Sequence, residues 1–409
     1  MNYVKAIGVV MTLCLFNGCQ SEQPAVPPAR PEGAAGQRSL PWKGDGFGLT
    51  VTDANADGRP DILAMSHAEG GLQSFLQTAD RKNFRAIPGF DGVGFHPGNL
   101  IEWPAASRLW VEAAEGSGKI RAFAWNESDQ AWRGVSERDE FAPRYVSRFE
   151  WPHWGPSLAV APYVNGYVIL LQGYDPATGQ AGERQGVPLS SKPSTIRAAE
   201  RLTVADLEGD GVPELLFAVS ATNEVMVIRY PGTPEDGPVR PLRAEVLYRD
   251  DQWGMPNEVQ VQDLDGNGVP EIIVPDEAKP SRIHVLARQD NALYKEVDAW
   301  AFPGQDGVME FRMMTDHDGR RYGLAAGPGA VAIYQLPLHW TFGEAVPVRH
   351  IGWHRPGDFP QDMQLADLDG DGWQDLVLGR SISEYNVWLA YGPLWDRFKA
   401  LAEMGFSLE

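Results

Sequence analysis

The sequence predicts an all-β protein, a seven-bladed β-propeller with four strands in each blade. Three observations carry that prediction. An acidic nine-residue loop recurs four times, at near-multiples of one interval. Each copy is preceded by alternating apolar residues (LTVTD, LTVAD, VQVQD, MQLAD) and followed by a short apolar run (ILAM, LLFAV, IIVP, LVLG), the pattern of strand, loop, strand. Finally, 44 Gly and 32 Pro in 409 residues supply the turns that many short strands need.

The first element is an address. Residues 1–19 read as a signal peptide ending in a lipidation cysteine. Lys5 gives the positive start, and residues 6–16 are an uncharged, mostly apolar run. Those eleven residues would span about 16 Å as helix, roughly half a bilayer core, too short for a transmembrane anchor. Leu15-Phe16-Asn17-Gly18-Cys19 resembles a bacterial lipobox, in which lipid is added to the cysteine sulfur and the chain is cut before it. The resemblance implies a lipoprotein held in the cell envelope through Cys19, and Gln20 after the cysteine implies the outer membrane. A plain secretory signal is the alternative. Residues 20–39, rich in Pro, Ala, Gly and polar residues with a single Val, read as a flexible tether; residues 40–409 form the folded domain.

Composition narrows the partners. The 35 Lys+Arg against 55 Asp+Glu give a formal charge of −20, which argues against nucleic acid and against contact with an anionic membrane beyond the N-terminal lipid. The 14 Trp, 12 Tyr and 16 Phe exclude disorder for most of the chain. Two cysteines, Cys14 and Cys19, make no disulfide framework, so an exported fold must be stabilised in another way.

The acidic loops supply that other way. They place Asp53, Asn55, Asp57 and Asp61 in the first copy, and Asp206, Glu208, Asp210 and Glu214 in the second. The third has Asp263, Asp265, Asn267 and Glu271, and the fourth Asp367, Asp369, Asp371 and Asp375. Oxygen side chains at positions 1, 3 and 5 converge on one point when the chain curls tightly; Gly at position 6 permits the turn, and a carboxylate at position 9 closes the site. Such a set suits Ca²⁺, which takes six to eight oxygens at ~2.3–2.6 Å. An EF-hand would need its closing Glu at position 12 and flanking helices, and neither is present. Calcium is therefore the expected cofactor.

The spacing counts the blades. Asp53 to Asp206 is 153 residues, three steps of 51; Asp206 to Asp263 is 57, and Asp263 to Asp367 is 104, two steps of 52. A fifth loop is visible at Asp316-His317-Asp318-Gly319, with Met314 and Tyr322 at positions 1 and 9, and is expected to bind nothing. Strand pairs at 108–125 and 157–174 fill the two remaining steps, which makes seven units of blade length. A two-domain β-sandwich would not produce equal spacing. Residues 40–50 or 395–409, the latter with a short helical stretch, are expected to supply the strand that closes the ring.

These loops, with Phe47-Gly48 in GDGFGLTVTD, resemble the FG-GAP/VCBS repeat family, the propeller type of the integrin α-subunit head. The resemblance spans residues 40 to the end. It implies that each acidic loop joins the innermost strand of a blade to the second strand and binds calcium through its four matching side chains.

Function is then expected at the opposite face, where segments lead into each innermost strand. These are rich in His, Trp, Pro and charge: His96 with Asn99, His153 with Trp154, Trp253 with Asn257, Glu310, and His354 with Arg355. Aromatic faces beside polar groups suit a sugar ring. The leading expectation is a non-enzymatic interaction or adhesion module of the envelope, with a protein or polysaccharide ligand. The alternative is an enzyme resembling the polysaccharide lyases, with His153, His354 and Arg355 as base and charge stabiliser. No nucleophile elbow, P-loop, zinc signature or dinucleotide fingerprint is present.

Overall fold

A computed structural model of the protein describes residues 37–403 apart from 43, 45, 67–70, 90–96, 105–107, 164–165, 190–200, 234, 236, 239–240, 291–292, 303–306, 329, 338–348, 355–359 and 381–386. Seven antiparallel four-stranded sheets follow one another along the chain as blades of a propeller. Their innermost strands are Gly46–Thr52, Pro97–Glu102, Pro143–Trp151, Thr203–Ala205, Gln260–Gln262, Glu310–Thr315 and Pro360–Ala366. Inner strands of neighbouring blades lie side by side without sharing a backbone ladder. A small ribbon, Gly232–Thr233 with Gly237–Pro238, is inserted in blade 4.

The core is divided into seven apolar clusters, one at each seam between consecutive blades. That division explains the continuous apolar runs after the acidic loops. The second strands that follow the four acidic loops, such as Glu214–Val219, are buried at every residue. Leu215, Phe217 and Val219 pack toward blade 3, while Leu216 and Ala218 pack toward blade 5. A strand covered on both faces needs no polar alternation.

The ring closes with residues from both ends of the described chain. Gln37–Leu40 pairs with Val387–Ala390 as the outermost strand of blade 7, and Leu40 is buried against Val387, Leu389 and Phe75. The closing strand thus begins inside the segment expected to be tether and ends where residues 40–50 were expected to start. The C-terminal segment does not close the ring. It forms a helix, Leu394–Glu403, whose Leu394 and Phe398 seal the seam between blades 6 and 7. Cys19 and the rest of residues 1–36 lie outside the described residues.

Candidate metal centres and the axial brace

All four acidic loops connect the innermost strand of their blade to the second strand. Local hydrogen bonds shape them alike. The first aspartate accepts N–H groups from residues three to five places on: Asp206 takes Gly209 at 2.7 Å and Gly211 at 2.8 Å, and Asp367 takes Gly370 at 2.7 Å and Gly372 at 3.0 Å. The glycine at position 6 has a left-handed φ between +80° and +88° in every copy (Gly58, Gly211, Gly268, Gly372), which a β-carbon would strain. The closing carboxylate accepts the N–H of position 2, as Glu271 does from Leu264 and Asp375 from Leu368, both at 2.7 Å.

The closing carboxylates are the most telling groups. Asp61, Glu214, Glu271 and Asp375 are at most 4% exposed. Burial pushes each of them up to about 7, with neighbouring loop acids adding to the rise and backbone N–H groups opposing it. In two copies the oxygens are already gathered. Asp263, Asp265 and Glu271 offer oxygens within 4.8 Å of one another, and so do Asp367, Asp369 and Asp375. The position-5 side chains, Asn267 and Asp371, turn instead to the N–H of position 7, at 2.6 and 2.8 Å.

The other two loops hold arginines that motif reading passed over. Arg59 pairs with Asp57 in blade 1. In blade 4, Glu208 lies 2.7 Å from Arg288 and 3.5 Å from Arg229. The fifth loop differs in register from the expectation. Met314 pairs with Tyr322 as Thr52 pairs with Asp61, so Thr315, not Met314, stands where the first aspartate stands elsewhere. Tyr322 holds the closing place, as expected.

Among the described residues, those expected to bind a ligand at the opposite face do not assemble. His153 and Trp154 sit in the hairpin between Pro143–Trp151 and Gly155–Pro162, the place occupied by an acidic loop in other blades. They therefore belong to the loop face, which corrects the sequence assignment. His153 adopts φ 64° in that turn, and Trp154 is buried with its ring 5.1 Å from that of Trp151. Trp253 does precede an inner strand but is 3% exposed, stacked on His284 at 4.5 Å and donating to Glu296 at 3.3 Å. His354 ends the outer strand Arg349–His354 of blade 6, at the other end of the ring from His153. His96, Arg355 and the side chain of His354 lie outside the described residues. The faces of Trp154 and Trp253 thus serve packing.

The polar groups that do converge lie on the axis. Residues three before the loop aspartate donate to a carbonyl of the next inner strand: Thr50 to Leu100 at 2.7 Å, Thr203 to Val259, and Gln364 to Leu49 at 3.1 Å. Residues five before it accept the matching N–H: Asp362 from Leu49 at 2.7 Å and Glu258 from Phe311 at 3.4 Å. In blade 2, Asn99 makes both bonds to Val146, at 2.7 and 2.8 Å. Side chains thus supply the strand-to-strand bonding that the backbone lacks here. Beside a chamber of about 490 Å³, Arg201 and Arg312 are held by Glu258, Glu310 and Asp362. Arg201 donates to Glu310 at 2.7 Å, and its guanidinium lies 5.4 Å from the Tyr145 ring. Burial pushes the Asp362 carboxyl up, against the pull of both arginines.

No protein-family model matches the chain, and no curated protein matches it in sequence. Among solved structures it is similar to the chain described as BBS1N in complex with ARL6DN, soaked with mercury. That similarity has a TM-score of 0.55 at 12% identity and covers 86% of this chain and 94% of that one. At such identity the likeness shows the fold, a β-propeller, and leaves activity to the site itself.

Proposed function

We propose that the protein is an exported, lipid-anchored binding module whose propeller is held together by calcium. The observation that carries this reading is the acidic loop, repeated in four blades with its closing carboxylate buried each time. A buried carboxylate beside two or three other acids is stabilised by a cation, and the all-oxygen donor set is that of a hard divalent ion. Asp53, Asn55, Asp57 and Asp61 would hold it in blade 1, and the matching residues in blades 4, 5 and 7. Calcium would supply charge neutralisation and cross-bracing, tying a loop between the two innermost strands of its blade. Membership of the FG-GAP/VCBS repeat family is part of this reading.

The partner is proposed to be a protein, met by the faces and edges of a rigid ring. The solved propeller chain similar to this one is described in complex with ARL6DN. The carbohydrate reading loses support because Trp154 and Trp253 are buried, and the lyase reading because His153 and His354 lie at opposite ends of the ring. Residues 1–19 carry the proposal of export and of a lipid on Cys19, in the outer membrane of the cell envelope. Equilibrium dialysis against radiolabelled calcium, together with mass spectrometry of the membrane-fraction protein, tests it. Retained calcium and a lipid-sized mass increase lost in Cys19→Ala are expected. A protein that binds no calcium, or one recovered unlipidated, contradicts the corresponding half.

A further inference from the structure

The geometry points to two classes of calcium site: strong ones in the loops of blades 5 and 7, and weak ones in blades 1 and 4, where arginines compete with the ion. This inference rests on the calcium reading above and ranks its sites. In blades 5 and 7 three carboxylates from the loop are already gathered within 4.8 Å. Among the described residues, the loops of blades 1 and 4 form no such group. There the guanidinium of Arg59 occupies Asp57, and those of Arg229 and Arg288 occupy Glu208. A cation arriving at either loop must first displace a cation already bound.

The neighbouring blade gives a second, independent observation. Gln77 and Arg288 occupy the same register, each one residue beyond the partner of a closing carboxylate: Ile62 pairs with Phe75, and Ile272 with Leu286. Gln77 reaches into the loop of blade 7 and donates to the backbone carbonyl of Leu368 at 2.6 Å, taking none of the loop carboxylates. In blade 5 the same service comes from Arg321 of blade 6, which donates to the carbonyls of Leu264 at 2.7 Å and Asp263 at 3.0 Å. Arg288 reaches toward the loop of blade 4 and takes the carboxylate itself. The following blade therefore braces two loops through their backbone and plugs a third through a ligand. Filling the blade 4 site breaks an ion pair across the seam between blades 4 and 5, so that seam senses high calcium through Arg288.

Isothermal titration calorimetry of the full chain with calcium tests this at low and at moderate salt. The wild type is expected to show two tight sites and weaker ones distinct from them. Arg288→Gln, which copies the arrangement of Gln77, is expected to tighten one weak site by about tenfold at low salt, and less as salt screens the charge. Arg288→Lys keeps the positive charge and is expected to gain far less. Arg243→Gln removes a nearby arginine that, among the described residues, pairs with Glu245 and is expected to leave the isotherm unchanged. Equal affinities at all sites, or an Arg288→Gln isotherm that superimposes on the wild type, overturn the ranking while calcium binding itself stands. Absence of binding in every variant overturns the calcium reading and the ranking with it.

Discussion

Arg201 is the residue whose surroundings most exceed what its own segment of sequence announces. It stands at the ring axis with its side chain 13% exposed, among Glu258, Glu310 and Asp362 contributed by blades 5, 6 and 7. Breaking a buried ion pair by removing one member leaves the others uncompensated, at about 3–5 kcal/mol. Arg201→Met is accordingly expected to lower the unfolding free energy by about that much in a urea titration; a change under about 0.5 kcal/mol would show that Arg312 alone neutralises the three acids. His284 gives a pH signature at the same scale. Burial opposes its charge, but Glu296, 2.9 Å from Nδ1, and Asp276, 3.7 Å from Nε2, outweigh burial and raise the imidazole above its ordinary range. A raised folded-state pKa stabilises below the unfolded value of about 6.5 and is lost as pH climbs through the folded value. The stability gap between wild type and His284→Gln should therefore be wide near pH 6 and narrow toward pH 9. A gap that widens with pH contradicts this assignment.

Elements are held by what covers them. The four-residue strand Gln37–Leu40 carries the closure of the ring, and Leu40 is 1% exposed in the seam between blades 7 and 1. Leu40→Asp is expected to cost about 2–5 kcal/mol, combining a lost apolar contact with a buried charge, and to admit protease near blade 7. Limited proteolysis and denaturant unfolding check this; wild-type behaviour in both would mean that the outermost strand is dispensable. Much at this scale was legible in sequence. The acidic loops announce themselves because their ligands sit within nine residues and their turns need glycine at one place. The strand pairs at 108–125 and 157–174 were legible as apolar runs. Their phase was not, because an apolar run does not say which strand of a blade it forms. Without an acid to mark the first turn, the Trp151–Trp154 hairpin read as a segment of the opposite face. The axial brace was hidden for another reason. Its bonds join residues far apart in sequence, fifty for Thr50 and Leu100 and 313 for Asp362 and Leu49, through ordinary Thr, Gln and Asp side chains that carry no motif. Only the structure shows that places three and five before a loop meet the backbone of the next inner strand, as Gln364 and Asp362 both bond Leu49. Arg288 escaped notice likewise, since it reaches Glu208 from the following blade, whereas Arg59 lies in the loop itself, two residues from Asp57.

At the scale of the whole molecule, seven seams each hold their own apolar cluster, so the blades are joined by packing and by the axial side chains rather than by a shared sheet. Stability then depends on every blade keeping its two innermost strands in place, which is where the acidic loops lie. A cation bound only by the folded chain adds about 2.7 kcal/mol per site when free calcium is a hundred times the dissociation constant. For a chain of this size a few kcal/mol move the melting temperature by several degrees. The −20 formal charge sharpens the dependence, because the metal-free ring carries its self-repulsion uncompensated. The most direct test is differential scanning calorimetry of the full-length protein in millimolar calcium and in excess chelator. The melting temperature is expected to be several degrees lower in chelator and to be restored when calcium is returned. Superimposable transitions in the two conditions would contradict it.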